Sequence, residues 1–183
     1  MKSLFASCEK IGCNFYPAFA IYTRLYRDVV KREVDLANVT QDDIVLNVGC
    51  GAIPFTAVHV AQLTGAKVIA MDRDELAVQK AKKSLHKFQL DDNIEIHCGD
   101  GADSIPFKFD AAIVALQVGE KPNILANLKQ SARPGARLIF RQPAEKYQEE
   151  YGVLPNNVRA DRKVEQTMQT FEHSYLYQIP QWG

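Results

Sequence analysis

Hydrophobic residues in this chain are concentrated in short runs that are separated by amphipathic stretches. Five of these runs predict buried strands, at residues 44–48, 67–71, 93–98, 109–117 and 137–140. Between them, periodicity and terminal charges predict helices, among them 74–85 and 122–131. Strands that alternate with helices predict an α/β fold: a Rossmann-like, doubly wound, mainly parallel sheet with helices on both faces.

The end of the chain departs from this alternation. Residues 142–169 are mostly polar, and we interpret them only as an excursion of helix and loop. Residues 171–179 (FEHSYLYQI) alternate between apolar and polar side chains, which predicts a last strand. We expect this strand to lie antiparallel beside the fifth strand.

The first 40 residues carry an aromatic stripe at helical spacing. Its members recur at steps of three and four residues: Phe15, Phe19, Tyr22, Tyr26 and Val29. Such a stripe is typical of a helix that packs on the core. It also fits a lid over the open end of a ligand site, and we name Tyr16 and Tyr22 as candidate catalytic residues. The predicted organisation is a helical lid segment over 1–40 and a ligand-binding domain over 41–183.

A glycine turn follows the first strand and indicates a ligand site. Gly49 and Gly51 permit a tight turn and let the backbone approach a ligand where a Cβ would intrude. Pro54 fits the first turn of the next helix, where its missing N–H would have no partner. Asp72 ends the second strand, where a carboxylate can accept hydrogen bonds from both hydroxyls of a ribose. The arrangement predicts an adenosine-bearing cofactor at this edge of the sheet.

A second loop with glycines follows the third strand on the same edge. Its Asp100 can accept a hydrogen bond from an adenine amino group, although an aspartate between two glycines also forms turns. The other candidate cofactor-binding residues that we place at this edge are Cys50, Arg73, Gly101 and Leu116. On the acceptor side of the site we expect two further polar groups, Glu120 and Arg141.

Composition and charge restrict the partners of the chain. Its 22 basic and 22 acidic residues give a formal net charge of zero, so the chain as a whole has no net attraction to nucleic acid or to an anionic membrane, and only a local charged patch is left open. No apolar run approaches the ~20 residues that span a bilayer, and the first residues lack the apolar length of a signal core. We therefore expect a small-molecule substrate, no nucleic acid and no membrane, and we leave a homodimer open.

The cysteines and histidines do not form ligand patterns. The four cysteines include no C-x-x-C pair, which is typical of reduced thiols in a cytoplasmic protein. The four histidines are isolated from one another along the chain. We therefore predict a cytoplasmic location and no metal site.

From Asp43 to Phe140 the sequence resembles the class I S-adenosylmethionine-dependent methyltransferases. Their first motif is an acidic residue followed by G-x-G-x-G, and here Asn47 stands in place of the acid and Ile53 in place of the third glycine. The resemblance implies that Asn47 lies at the methionine end of the cofactor, where its amide oxygen can accept a hydrogen bond but brings no charge. It also implies that Asp72 binds the ribose and Asp100 the adenine.

A narrower resemblance is to the nicotianamine synthases, which transfer the aminocarboxypropyl arm of the same cofactor. Their glycine cluster is followed by P-x-P-x-T, of which Pro54 and Thr56 remain here. Their preceding aromatic segment is similar to residues 16–25. We expect methyl transfer rather than arm transfer, because only about forty residues precede the core and offer little room for a synthase's substrate tunnel.

The predicted function is therefore methyl transfer from S-adenosylmethionine to a small-molecule acceptor, which leaves S-adenosylhomocysteine. Residues 116–120 lack the N-P-P-[FY] motif of enzymes that methylate amino groups of nucleic acid. An NAD-dependent oxidoreductase is an alternative, since Asp72 would also suit the ribose of NAD, but its G-x-G-x-x-G motif would place a glycine at Pro54. A non-catalytic module that binds the cofactor is the other alternative.

Overall fold

The sheet and its helices follow the alternation predicted from the sequence. The structure, a computed structural model, describes residues 16–88 and 92–181, with side chains described for 24–86 and 92–181. The helices there are α1 (Tyr16–Leu36), α2 (Phe55–Thr64), α3 (Glu75–Phe88), α4 (Lys121–Ser131) and the single turn α5 (Gln148–Tyr151). The strands are β1 (Ile44–Val48), β2 (Lys67–Asp72), β3 (Ile94–Cys98), β4 (Ala111–Val114), β5 (Arg137–Gln142), β6 (Arg162–Glu165) and β7 (His173–Gln178).

The strands form one sheet in the order β3-β2-β1-β4-β5-β7-β6. The first five of these are parallel, whereas β7 runs antiparallel to both β5 and β6. The predicted Rossmann-like fold and the antiparallel last strand are therefore confirmed. Chain order reverses between β1 and β4, which creates a crevice at the carboxyl ends of these strands.

Side chains alternate between two apolar layers, one on each face of the sheet. On one face Val45 and Ile113 pack with residues of the first three helices, such as Val34 of α1 and Ala57 of α2. On the other face Leu46 packs with α4 and with its neighbours on β4 and β5. The prediction of helices on both faces is confirmed, and it explains why these strands are almost wholly apolar.

The other strands lie within two residues of their predicted bounds at each end, whereas two strands differ more from the prediction. The fourth strand spans only residues 111–114 instead of 109–117, because the ladder to β1 and β5 ends there although Phe109 and Leu116 stay buried. The segment 162–165, which we assigned to an excursion of helix and loop, forms the edge strand β6. Its sequence RKVE has one partly buried residue, and such polar edge strands carry little hydrophobic signal.

Helix α1 contributes to the core through its second half. Val29, Val30 and Val34 are buried, and the ring of Tyr26 lies 5.8 Å from that of Phe55 at the start of α2. Of the predicted aromatic stripe, Phe15 lies outside the described residues, and the side chains of Phe19 and Tyr22 are not described. The lid role of residues 1–40 therefore stays a prediction.

Candidate functional site

A cleft of about 210 Å³ opens at the carboxyl ends of β1, β2, β3 and β4. Three loops form most of its wall: the glycine turn, the loop after β3, and the segment 115–120, which we call the cleft loop. The lining residues are Val48, Gly49, Gly51, Met71, Asp72, Arg73, Gly99, Asp100, Gly101, Ala102, Ala115, Gln117, Val118, Gly119 and Glu120. Six of the predicted cofactor-binding residues meet there: Gly49, Gly51, Asp72, Arg73, Asp100 and Gly101.

The glycine turn needs glycine at both positions. Gly49 and Gly51 have φ of 81° and 67°, in the left-handed region that disfavours other residues. A Cβ on Gly49 would also lie 2.3 Å from Cγ2 of Val118. The first glycine thus allows the cleft loop to pack directly against the turn.

The N–H groups of the turn donate within the protein. Those of Gly49 and Cys50 donate to the carbonyl oxygen of Met71, at 2.8 and 3.0 Å. That of Gly51 donates to Oδ2 of Asp72 at 2.8 Å. The turn is therefore fixed to the end of β2, and these three donors are already engaged.

Asp72 is held in one orientation by two backbone donors. Its Oδ2 accepts from Gly51 and its Oδ1 accepts from the N–H of Asp74, at 2.8 and 3.0 Å. Each carboxylate oxygen can accept more than one hydrogen bond, so both keep acceptor capacity toward the cleft. The arrangement suits a pair of neighbouring hydroxyls.

The loop after β3 places a second carboxylate on the same wall. Oδ1 of Asp100 accepts from the N–H of Ala102 at 2.9 Å, while Oδ2 lies 3.6 Å from Nη1 of the exposed Arg73. The side chain of Asn127 donates to the carbonyls of Gly101 and Ala102 and so ties this loop to α4. A Cβ on Gly101 would lie 2.9 Å from Cγ1 of Val48, so the close approach requires glycine.

Three predicted cofactor-binding residues lie behind the cleft wall rather than on it. Asn47 is fully buried, and its amide donates to the carbonyl of Ile113 at 3.2 Å while its Oδ1 has no hydrogen-bond partner. Cys50 is buried in the apolar layer beside α2, and burial, with the negative charge of Asp72, raises the pKa of its thiol to about 12. Leu116 packs against Val29, Tyr151 and Phe171. Their role in binding stays a prediction.

A model of the family described as "Methyltransferase domain" matches residues 40–179. The chain belongs to this family. Solved structures with the same fold include an RNA methyltransferase from Salinibacter ruber in complex with S-adenosyl-L-homocysteine. That structure is 20% identical, with a TM-score of 0.61, and the match covers 84% of this chain and 91% of the other. The resemblance to class I S-adenosylmethionine-dependent methyltransferases is confirmed.

This methyltransferase-domain protein is also similar to MtNAS, which belongs to the narrower resemblance, and to two curated transferases. A glutamate variant of MtNAS in complex with S-adenosylmethionine is 18% identical, with a TM-score of 0.74 and coverage of 86% of this chain and 63% of that one. L-histidine 2-aminobutanoyltransferase of Pseudomonas aeruginosa is 30% identical over 61% of this chain and 43% of the relative. A probable cobalt-precorrin-6B C(15)-methyltransferase of Methanothermobacter thermautotrophicus is 32% identical over 57% and 54%. The chain spans about half the length of these curated relatives.

A buried polar network lies on the α1 side of the sheet, at the level of the glycine turn. Arg141 follows Phe140, which pairs with Val114 of β4, and it is 1% exposed. It donates two hydrogen bonds to the carboxylate of the fully buried Glu33, at 2.7 and 2.6 Å, and a third to the hydroxyl of Tyr26. Burial alone would lower the pKa of the guanidinium, but the charge of Glu33 raises it above its ordinary value.

The network bears on the residues that we expected on the acceptor side. Arg141 is buried and its guanidinium is engaged by Glu33 and Tyr26, so its place near a methyl acceptor stays a prediction. Tyr16 and Tyr22 lie in α1, but their side chains are not described, so their catalytic role stays a prediction. Sequence reasoning missed Glu33, whose position in an amphipathic helix resembles that of any solvated acid.

The described residues contain no group of three or more His, Cys, Asp or Glu side chains that could hold a metal ion. Among the helices of that same part of the chain, none combines the length and the hydrophobicity needed to cross a bilayer. Sequence reasoning also missed Lys121, which is 1% exposed.

Proposed function

We propose that this protein transfers the methyl group of S-adenosylmethionine to a small-molecule acceptor and leaves S-adenosylhomocysteine. The observation that carries the proposal is the cleft itself. It brings Asp72 and Asp100 to adjacent loops at the switch point of a methyltransferase-domain fold. The hydrogen-bond capacity of the two carboxylates suits a nucleoside whose ribose meets Asp72 and whose adenine meets the loop of Asp100.

The charge of the cleft favours a cationic cofactor. Its lining includes the carboxylates of Asp72, Asp100 and Glu120 against the single guanidinium of Arg73. S-Adenosylmethionine carries a sulfonium and an ammonium against one carboxylate, whereas NAD carries a negatively charged pyrophosphate. An acidic cleft attracts the first and repels the second.

The glycine turn argues against NAD on separate grounds. A pyrophosphate is held by free N–H groups at a glycine turn and helix N-terminus. Here the N–H groups of Gly49, Cys50 and Gly51 are engaged by Met71 and Asp72, and Pro54 has none to offer. These contacts support the hypothesis of a methyltransferase over that of an NAD-dependent oxidoreductase.

Asn47 fits the methionine end of the cofactor in one respect. Its buried Oδ1 lacks a hydrogen-bond partner, and an acceptor in that state gains from an ammonium donor or from a bridging water. Cys50 and Leu116 would then support the site from behind, since both lie in the apolar packing next to the turn and the cleft loop.

When bound, S-adenosylmethionine supplies an activated carbon on a sulfonium. The protein's own contribution is alignment of the acceptor with that carbon, together with exclusion of water. Asp72 and Asp100 fix the nucleoside end, and the cleft loop closes the side near Gly49, where Val118 would meet a Cβ. A general base is needed only for an acceptor that must lose a proton.

Transfer of the aminocarboxypropyl arm is a second candidate. L-histidine 2-aminobutanoyltransferase and MtNAS are among the proteins to which this chain is similar. Both transfers use the same sulfonium cofactor and the same nucleoside contacts. They differ in the carbon of the sulfonium that faces the acceptor.

The products distinguish the two reactions. We would incubate the protein with S-adenosylmethionine and a panel of amine, thiol, amino-acid and RNA acceptors, and separate the adenosine products by chromatography. Methyl transfer yields S-adenosylhomocysteine, with small molecules rather than RNA as acceptors. Methylthioadenosine above the no-enzyme background would instead identify arm transfer, and neither product would favour a non-catalytic module.

Location and oligomeric state stay predictions from the sequence. A cytoplasmic protein with reduced thiols is proposed, and Cys50 and Cys98 are free in the described part of the chain. Light scattering after size-exclusion chromatography would show whether the homodimer forms.

A further inference from the structure

Lys121 occupies a position that is unfavourable for a lysine. It is the first residue of α4 and is 1% exposed. The N-terminus of a helix carries a partial positive charge, which repels a cation, and burial removes the ammonium from water. Helix formation therefore does not explain why a lysine occupies this position. The contacts of its ammonium must compensate both the repulsion by the helix N-terminus and the loss of hydration.

Those contacts are three backbone carbonyl oxygens from two segments. Nζ donates to Leu116 at 2.9 Å, to Val118 at 2.9 Å and to Tyr151 at 2.5 Å. An ammonium has three N–H donors, so its hydrogen-bonding capacity is filled by these carbonyls. Burial lowers the pKa of Lys121 to about 8, which leaves the amine mostly protonated at neutral pH.

The two segments differ in their relation to the cleft. Leu116 and Val118 belong to the cleft loop, which lines the cleft through Ala115, Gln117, Val118, Gly119 and Glu120. Tyr151 is the last residue of α5 and does not line it. A single side chain thus connects a wall of the cleft to a segment behind it.

The cleft loop needs such support. Glu120, at its end, has φ of 51°, a left-handed conformation that is unusual for a residue other than glycine. The loop also packs against Gly49, so a shift of the loop would alter the shape of the cleft. Leu116 and Tyr151 meet again in the small apolar cluster that includes Val29 of α1 and Phe171.

We propose that Lys121 is a positioning residue that couples the cleft loop to α5, so that occupation of the cleft and order in α5 favour each other. The coupling to a cofactor rests on the proposed function, whereas the coupling of the two segments does not. Because the α5 segment contacts α1 through the Val29 cluster, the same connection reaches the side of the molecule where we expect the acceptor.

Hydrogen exchange of the protein without cofactor tests the connection of the segments. Lys121→Met keeps an unbranched side chain that is one atom shorter and removes the ammonium, while Lys129→Met changes an exposed lysine of the same helix. In Lys121→Met, amides of both 115–120 and 148–151 should exchange about tenfold faster or more, with the central strands unchanged. Lys129→Met should match the wild type. Acceleration in one segment only, or in neither, would overturn the proposal.

Addition of S-adenosylmethionine tests the coupling. In the wild type the ligand should slow exchange in 115–120 and also in 148–151, although the latter does not line the cleft. In Lys121→Met, protection should remain in 115–120 and disappear from 148–151. Equal protection of 148–151 in both proteins would contradict the coupling. Failure of the ligand to protect either protein would contradict the proposed function, and the cofactor-free comparison would still decide whether Lys121 joins the segments.

The wild type also offers a measurement that does not depend on how the variant folds. With ¹⁵N-labelled lysine side chains, the ammonium protons of Lys121 should exchange slowly enough to give a separate NMR signal, because they are buried and hydrogen-bonded. That signal should be lost in Lys121→Met and kept in Lys129→Met. Absence of any protected ammonium signal in the wild type would overturn the proposal.

Discussion

Asp72 is the residue on which cofactor recognition depends most directly. Asp72→Asn keeps one acceptor oxygen for the N–H of Gly51, loses the second acceptor at the N–H of Asp74, and removes the charge that would bind two ribose hydroxyls. We expect binding of S-adenosylmethionine to weaken by about 1.5–3 kcal/mol, as for hydrogen bonds to charged groups. Calorimetry measures this, with the exposed Asp74→Asn as control, since that side chain accepts only from Leu76 within the described contacts. Equal affinity in the two variants would remove Asp72 from the site.

Gly49 is predicted to be irreplaceable for a steric reason. A Cβ there would lie 2.3 Å from Val118, and the residue has φ of 81°. Gly49→Ala should lower the free energy of unfolding by about 1–3 kcal/mol or more and displace the cleft loop. Gly119→Ala is the matched control, because a Cβ at that position meets nothing within 4 Å. Similar stability of both variants in urea titrations would contradict the packing described for the loop.

Cys50 gives the molecule a stability that depends on pH. Burial and the charge of Asp72 raise the pKa of its thiol from 9.0 to about 12, so the folded state favours the protonated form. This contribution is complete below pH 9 and is lost as pH rises from 9 toward 12. By pH 10.5 the loss should reach about 2 kcal/mol relative to Cys50→Ala. Urea titrations between pH 8 and 10.5 would show it. Cys98→Ala, which changes an exposed thiol, should follow the wild type, and parallel curves for all three proteins would refute the assignment.

At the scale of elements, the pair of Glu33 and Arg141 joins α1 to the sheet. Both side chains are buried, and Ser174 of β7 also donates to Glu33 at 2.7 Å. Glu33→Gln leaves a buried guanidinium without its counter-charge, which should cost about 3–5 kcal/mol in unfolding free energy. Asp35→Asn breaks the exposed pair with Lys31 on the same helix and should cost less than about 1 kcal/mol. Denaturant titration of both variants measures these losses in the free energy of unfolding. Comparable losses would show that the buried pair stabilises the fold no more than the exposed pair does.

The sequence predicted those elements whose hydrophobic pattern can be recognised without knowledge of the neighbouring strands. β1, β2 and β5 are buried on both faces, so their hydrophobic runs mark them without reference to a partner. β6 exists because β7 offers it a partner, and its own sequence of four mostly exposed residues predicts nothing. The limits of β4 depend likewise on where β1 and β5 stop pairing.

For the whole molecule, the difference between features set by the local sequence and features that depend on a distant partner explains which parts of the site could be predicted. Glycines and acids at strand ends are set by local backbone chemistry, and the topology of parallel strands then brings Asp72 and Asp100 to one edge. Glu33 and Lys121 could not be foreseen, because their partners lie at Arg141, Ser174 and Tyr151, far along the chain or on backbone carbonyls. The roles of Tyr16 and Tyr22 stay predictions from the sequence, because their side chains are not described.

The central claim is that the acidic cleft binds S-adenosylmethionine and not NAD. Calorimetric titration of the wild-type protein with each ligand, under identical salt and pH, tests it most directly. We predict saturable binding of S-adenosylmethionine at one site per chain, and binding of NAD at least about tenfold weaker, a difference of about 1.4 kcal/mol. Tighter binding of NAD, or no heat of binding with S-adenosylmethionine, would contradict the account.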